Sequence, residues 1–348
     1  MRTLIDQKIA EEQLPTKNEA NIAGAAALLE MGARLGVLND IENSKYIDST
    51  TLAESCKLPE VAVKAYLLAL TSAGILECSS NSKVQSTDYV FTKTESYNRY
   101  KTESGYILWA LSACRPFIEQ ARDFLSAPSS IPQGHPRDGG LVALASAWMG
   151  CLDYYPPAIN VILEHNPSRL VDLGSGSGGL LIDILNKLPE ATGLGIDLNP
   201  TACAHARRDA EIAGVADRLT IQERSIQSLA SDATCLKGAD IINAGFVFHD
   251  LFPVDADIAS QVFSACYRAL APNNGLMVLT ELIPYVQNDR ERMFSAVLSF
   301  FHQEFMKRKI PTESEWSEKL HDAGFEEVKF HKIPMPGTRL IVARCTAS

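Results

Sequence analysis

Between Asn21 and Leu38 apolar residues recur every three or four positions, which predicts a helix ending near Gly36. Two short helices follow. Ser49 or Thr50 can cap the first, over Thr51 to Cys56. Pro59 opens the second, where Val61, Tyr66, Leu67, Leu70 and Ala73 keep core spacing up to Gly74. ILECSS and DYVFTKT, separated by the polar stretch Asn81 to Thr87, then read as the two strands of a wing. A helix-turn-helix with a wing is therefore expected over residues 1–105. From Tyr106 to His165 the helical pattern persists with aromatic residues at Tyr106, Trp109, Phe117, Trp148, Tyr154 and Tyr155. The Pro/Gly-rich run Pro128 to Gly140 interrupts it. Residues 106–165 are expected to form a helical linker or lid that contributes to a substrate pocket.

After Pro167 the texture changes. RLVDLG, TGLGID, LTIQ, ADIINA and LMVLTE are short strand-like runs with helical segments between them. That alternation is the mark of a parallel sheet covered by helices. EEVKFHKI and TRLIVARC flank the turn PMPG and predict a closing antiparallel hairpin. Residues 166–348 are thus expected to be an α/β domain with a doubly wound seven-stranded sheet, behind a mostly helical N-terminal domain.

Composition narrows the function more than the fold. Over 348 residues, 46% hydrophobic and 21% charged, the chain is globular and long enough for two domains. A net charge of −10 argues against a binder of nucleic acid or of anionic membranes. The helix from Glu60 to Ala73 offers almost no Arg, Lys, Asn or Gln for base edges or phosphates. Dimerisation or docking is therefore the expected role of the N-terminal domain, and the apolar stretch Ile22 to Leu38 is the expected homodimer surface. The eight cysteines form no CxxC pair, the N-terminus has no signal-peptide core, and no uncharged apolar run is long enough to span a bilayer. A cytoplasmic protein is the expectation.

The densest chemistry lies in Val171-Asp172-Leu173-Gly174-Ser175-Gly176-Ser177-Gly178-Gly179, between a strand and a helix. Glycines there let the backbone approach a ligand and take positive φ. The pattern alone fits both GxGxG and GxGxxG. Two details favour S-adenosylmethionine over a dinucleotide. Asp172 precedes Gly174 by two residues, where it can face the cofactor's ammonium, and Asp197 ends the next strand, placed for both ribose hydroxyls; a dinucleotide enzyme also uses an acidic residue there, so the discrimination rests on the ensemble. Gly176 and Gly178 continue the cradle. Arg224, Ser225 and Ile226 end the third strand on the expected adenine side, and Asn243, Ala244 and Gly245 end the fourth beneath the methionine portion.

These residues resemble the class I S-adenosylmethionine-dependent methyltransferases, and the layout of nearly the whole chain resembles the small-molecule O-methyltransferases that carry a winged-helix dimerisation domain. In that family the segment matching Phe246-Val247-Phe248-His249-Asp250-Leu251-Phe252 holds a His-Asp pair whose histidine is general base for a hydroxyl. A narrower resemblance is to the 2-oxo acid C-methyltransferases. These bind a non-redox iron through a His-Asp pair and a second histidine about fifty residues later. Here His302 follows His249 by 53 residues.

That narrower resemblance implies His249, Asp250 and His302 as metal ligands, with iron favoured and zinc, nickel or cobalt as substitutes. It implies methyl transfer to the carbon beside the ketone of a 2-oxo acid chelated through its carboxylate and keto oxygens. Phenylpyruvate, 4-methyl-2-oxopentanoate and 5-guanidino-2-oxopentanoate are the substrates it suggests, the last slightly preferred for an acidic chain. Arg137, or else Arg115, would pair with the substrate carboxylate, and Trp109 with Tyr106 would wall the pocket. Each has a plainer reading. His302, among Met293, Val297, Phe300, Phe301 and Phe305, can be a packed core histidine; Arg137 can be a solvated loop residue; Trp109 can be core. Two other functions compete with C-methylation: an O-methyltransferase with His249 as general base, and a regulator that binds S-adenosylmethionine without turnover.

Overall fold

The computed structural model describes residues 18–80, 89–126, 137–252 and 255–345. The chain divides into two compact units, Met1–Arg115 with Arg137–Met149, and Pro116–Pro136 with Gly150–Ser348. The stretch 106–165 is therefore shared between the two units.

In the first unit, helix Asn18–Leu35 ends because Gly36 takes a left-handed φ of 77°, and a second helix, Val37–Asn43, starts at once and includes Leu38. Ile47–Asp48 (β1) is a strand the pattern does not announce, since two residues show no period. Asp48, not Ser49 or Thr50, caps helix Ser49–Cys56, its carboxylate accepting from the Thr51 amide at 2.8 Å. Helix Glu60–Ser72 leads to β2 (Leu76–Ser80) and β3 (Tyr89–Lys93), which pair antiparallel in a sheet of order β1-β3-β2. The polar stretch Asn81 to Thr87, and Pro128 to Pro136 of the Pro/Gly run, lie outside the described residues.

The second unit holds β4 (Arg169–Leu173), β5 (Thr192–Asp197), β6 (Leu219–Glu223), β7 (Ile241–Gly245), β8 (Leu276–Leu282), β9 (Glu327–Lys332) and β10 (Thr338–Arg344). They form one sheet of order β6-β5-β4-β7-β8-β10-β9. The first five strands run parallel, and β10 is antiparallel to both β8 and β9. This is the expected doubly wound seven-stranded sheet. The order reverses between β4 and β7, and the crevice outside the carboxyl ends of strands at such a reversal is where open α/β sheets bind ligands.

The central strands are apolar almost throughout because helices cover both faces. Strand β8 is the exception in kind: all seven residues are buried, and two of them are Thr280 and Glu281. A buried carboxylate needs partners, and Glu281 finds them in the site. Among the described residues no single helix is long and apolar enough to cross a membrane.

Candidate functional site

The loop after β4 is shaped by three glycines with positive φ: Gly174 at 73°, Gly176 at 53° and Gly178 at 75°. Side chains rarely tolerate that conformation. At Gly174 a Cβ would also come within 2.6 Å of a Val247 methyl, so no larger residue fits. The amides of Gly174 and Ser175 donate to the Ile196 carbonyl at 2.8 and 3.1 Å, which ties the loop to β5. Helix Gly179–Lys187 then begins, its N-terminus facing the crevice.

Two carboxylates stand beside this loop. Asp197, at the end of β5, accepts from the Gly176 amide and the Asn199 amide, both at 2.8 Å. Asp172, on β4, is buried and accepts from Asn243 Nδ2 on β7 at 2.7 Å. Burial pushes the Asp172 carboxyl up to about 7; the Asn243 bond opposes this and the Asp197 charge adds to it. Asn243 Oδ1 and Ser175 Oγ are buried with no hydrogen-bond partner. Orphaned acceptors beside a buried carboxylate suit a cationic donor such as an ammonium. A cavity of about 400 Å³ opens here, lined by Gly174, Asp197, Ile226, Phe246, Asp250 and Arg308 among others.

Of the other residues at this rim, Ile226 lines the cavity, while Ser225 uses its hydroxyl to cap the turn Ile226–Ala230. Arg224 points away: its Nε donates to Ser228 Oγ and its Nη2 to the Asp232 carbonyl, both at 2.9 Å.

His249 is built by an unusual piece of backbone. Phe246 takes a left-handed φ of 56°, strained for a bulky residue, just past β7. The chain then turns into helix Phe248–Leu251. Glu281 holds this turn. Its Oε1 accepts from the amides of Val247 and Phe248 at 3.2 and 2.8 Å, and its Oε2 lies 2.7 Å from His249 Nδ1. One fully buried carboxylate thus fixes both the backbone and the ring. Burial alone would push the His249 imidazolium down, but Glu281 and then Asp250 outweigh it and the net direction is up. In the neutral ring, with Nδ1 bound to a carboxylate, Nδ1 carries the proton and Nε2 is left to act as acceptor. Glu281 was not among the residues singled out from sequence.

His302 lies in a π-helical turn, Phe301–Phe305, that continues helix Arg292–Phe300. Its Nδ1 meets the Leu298 carbonyl at 2.7 Å, and its ring centroid is 5.4 Å from that of His249 at an interplanar angle of 72°. The structure therefore brings together the three residues expected as metal ligands. Their arrangement does not fit a metal. Among the described residues no group of three or more His, Cys, Asp or Glu side chains is placed to hold one. The Asp250 carboxylate, 3.5 Å from His249 Nε2, is ion-paired with Arg308, so a guanidinium stands against the carboxylate expected for the metal.

The remaining candidates belong to the first unit. Trp109 is buried in a π-helical turn, Leu108–Ala113. Arg137 is half-buried just before helix Gly139–Asp153, and Arg115 is exposed.

Comparison with known proteins agrees with this geometry. A model described as a methyltransferase domain matches residues 171–276. Methyltransferase ungE' of Aspergillus campestris is 25% identical over 333 residues, covering 92% of this chain and 93% of that protein. The 3-hydroxy-5-methyl-1-naphthoate 3-O-methyltransferase of Streptomyces sahachiroi is 27% identical over 176 residues, 50% of this chain and 48% of that protein. Human N-acetylserotonin methyltransferase, solved in complex with S-adenosylmethionine, superposes with a TM-score of 0.58 at 15% identity over 97% of this chain and 99% of that one. The pyocyanin biosynthetic protein PhzM gives 0.53 at 20% identity over 92% and 95%. With the glycine cradle, the paired carboxylates and the seven-stranded sheet already in place, the chain has the class I fold and is an S-adenosylmethionine-dependent methyltransferase.

Proposed function

We propose that the enzyme transfers the sulfonium methyl of S-adenosylmethionine to an acidic hydroxyl of a small molecule, a phenol or an enol, with His249 as general base. One observation carries this reading: the buried 2.7 Å contact of His249 Nδ1 with Glu281, which orients the ring and leaves Nε2 for a substrate proton. The hydroxyl gives its proton to Nε2, its oxygen forms the new bond to the methyl carbon, and the carbon–sulfur bond breaks to release S-adenosylhomocysteine. A phenol, with a pKa of about 10, matches an imidazole base better than an aliphatic alcohol whose pKa is near that of water, about 15.7. The naphthoate O-methyltransferase among the relatives supports an aromatic hydroxyl as acceptor.

The cofactor reading assigns Asp197 to the ribose hydroxyls, Gly174, Gly176 and Gly178 to the cradle, Ile226 to the adenine side, and Asp172 with Asn243 to the ammonium. It carries a pH prediction. In the free protein Asp172 is protonated below about 7. An ammonium binds its ionised form, so S-adenosylmethionine affinity should fall by up to about tenfold for each pH unit below 7. Above about 8 the cofactor's own amino group loses its proton and affinity should fall again. Calorimetric titrations across this range measure the effect; a flat profile would remove Asp172 from the ammonium subsite.

C-methylation of a 2-oxo acid keeps one observation in its favour, the close approach of His302 to His249. The Asp250–Arg308 pair weighs against it. Both readings meet in one assay: release of S-adenosylhomocysteine by enzyme dialysed against a chelator, with panels of phenols, stable enols and 2-oxo acids. Turnover of hydroxylated acceptors that survives chelation supports O-methylation. Turnover confined to 2-oxo acids and lost with the metal would reverse the choice.

A further inference from the structure

The chain reverses direction after the π-helical turn that carries His302. Lys307 takes a left-handed φ of 54°, and the amide of Arg308 donates to the His302 carbonyl at 2.8 Å. That reversal sends the Arg308 side chain back to helix Phe248–Leu251. There its Nη1 meets the Asp250 carboxylate and, at 3.3 Å, the Asp250 carbonyl. Arg308 is thereby fixed at two ends, its backbone on the His302 segment and its guanidinium on the His249 segment. Its side chain is only 17% exposed and lines the cofactor cavity.

What it holds matters for the base. Asp250 Oδ1 stands 3.5 Å from His249 Nε2, just beyond hydrogen-bond length. Nε2 is the nitrogen that must meet the acceptor, since Nδ1 is taken by Glu281. A carboxylate so close needs only a small side-chain rotation to accept from Nε2–H of the protonated ring, which would hold the ring as imidazolium and fill the position the hydroxyl requires. A guanidinium competes well for that carboxylate, because it offers several fixed donors and a permanent charge.

We infer that Arg308 is a positioning residue: by holding the Asp250 carboxylate it keeps Nε2 of His249 open to the acceptor. The inference rests on His249 being the base. It differs from a role in cofactor binding, which would show as weaker S-adenosylmethionine affinity with Asp250 unmoved.

Two readouts test it on the full-length enzyme. The first is a pair of crystal structures with S-adenosylhomocysteine bound, wild type and Arg308→Gln. The variant should place an Asp250 oxygen within about 3 Å of His249 Nε2; an Asp250 carboxylate that stays where it is overturns the inference. The second is kinetic, with the phenol or enol that wild type methylates fastest. Arg308→Gln should lose at least about tenfold in kcat, a substantial fraction of what a general base contributes. The double variant Arg308→Gln/Asp250→Ala should regain most of that loss, since neither a carboxylate nor an amide remains to occupy the ring. Arg308→Lys keeps the cation and should stay closer to wild type. A double variant as slow as the single one contradicts the inference. Movement of Asp250 in the crystal alongside a wild type that makes no methoxy product would instead leave the clamp standing and refute His249 as the base.

Discussion

His249→Ala is expected to lower methyl transfer by about two to four orders of magnitude, the contribution a positioned general base makes. The loss should fall on kcat. His249 is buried in a segment that borders the cofactor cavity, but the side chains assigned to the cofactor are elsewhere: Asp172 on β4, Asp197 on β5 and Asn243 on β7. S-adenosylmethionine affinity should therefore stay near the wild-type value. The check is single-turnover rate alongside calorimetric binding for the variant and wild type. A variant that binds the cofactor normally and still turns over at the wild-type rate removes His249 from the chemistry.

The second large effect is expected from Glu281→Gln, a change that keeps shape almost exactly where shape matters. The amide oxygen can still accept from the Val247 and Phe248 amides, as Oε1 does now. The amide nitrogen then occupies the place of Oε2 and presents N–H to His249 Nδ1. To pair with it, Nδ1 must become the acceptor, and the ring's proton moves to Nε2. A histidine with its proton on Nε2 cannot take one from a hydroxyl. The rate should fall about as far as for His249→Ala, by two to four orders of magnitude, as a wrong tautomer does elsewhere. Stability should fall by about 1–3 kcal/mol, because the amide's second N–H is buried where the carboxylate carried no hydrogen. Glu281→Ala, by contrast, would strand the Val247 and Phe248 amides and the ring nitrogen together. Thermal melts and the same rate assay separate the two variants; an active Glu281→Gln would show that Glu281 only props the turn.

Much of this architecture was legible because it rests on periodicity. The alternation of short apolar runs with helical segments after Pro167 gave the strands within a residue or two, and the PMPG turn marked the hairpin that β9 and β10 form. The glycine loop was legible because only glycine adopts the required φ so readily at three alternate positions. Strand β1 was hidden by its length, and the cap Asp48 by two hydroxyl residues that follow it.

The site was legible less evenly. His249 stood out by its place just past a parallel strand. Glu281 did not, because a glutamate at the end of LMVLTE reads as a strand terminus facing solvent. In the structure β8 runs on to Leu282 and pairs with β10, which buries the carboxylate completely. The signal was there in one respect: a charged residue inside a strand flanked on both sides by strands is costly unless it is bonded. Arg308 carried no signal, since its position depends on a π-helical turn and on the left-handed Lys307. The same arginine weighs against reading a His-Asp and a histidine at suggestive spacing as a metal site: spacing says nothing of which partner the carboxylate takes.

The account stands or falls on where the methyl group goes. The most direct measurement is carbon-13 NMR of the product made by chelator-treated wild type from S-adenosylmethionine labelled in its methyl group, offered a hydroxylated aromatic acceptor and a 2-oxo acid together. A labelled methyl on oxygen, formed without metal and abolished in both His249→Ala and Glu281→Gln, is the result predicted here. A labelled methyl on the carbon beside the ketone, appearing only when metal is restored, would contradict it.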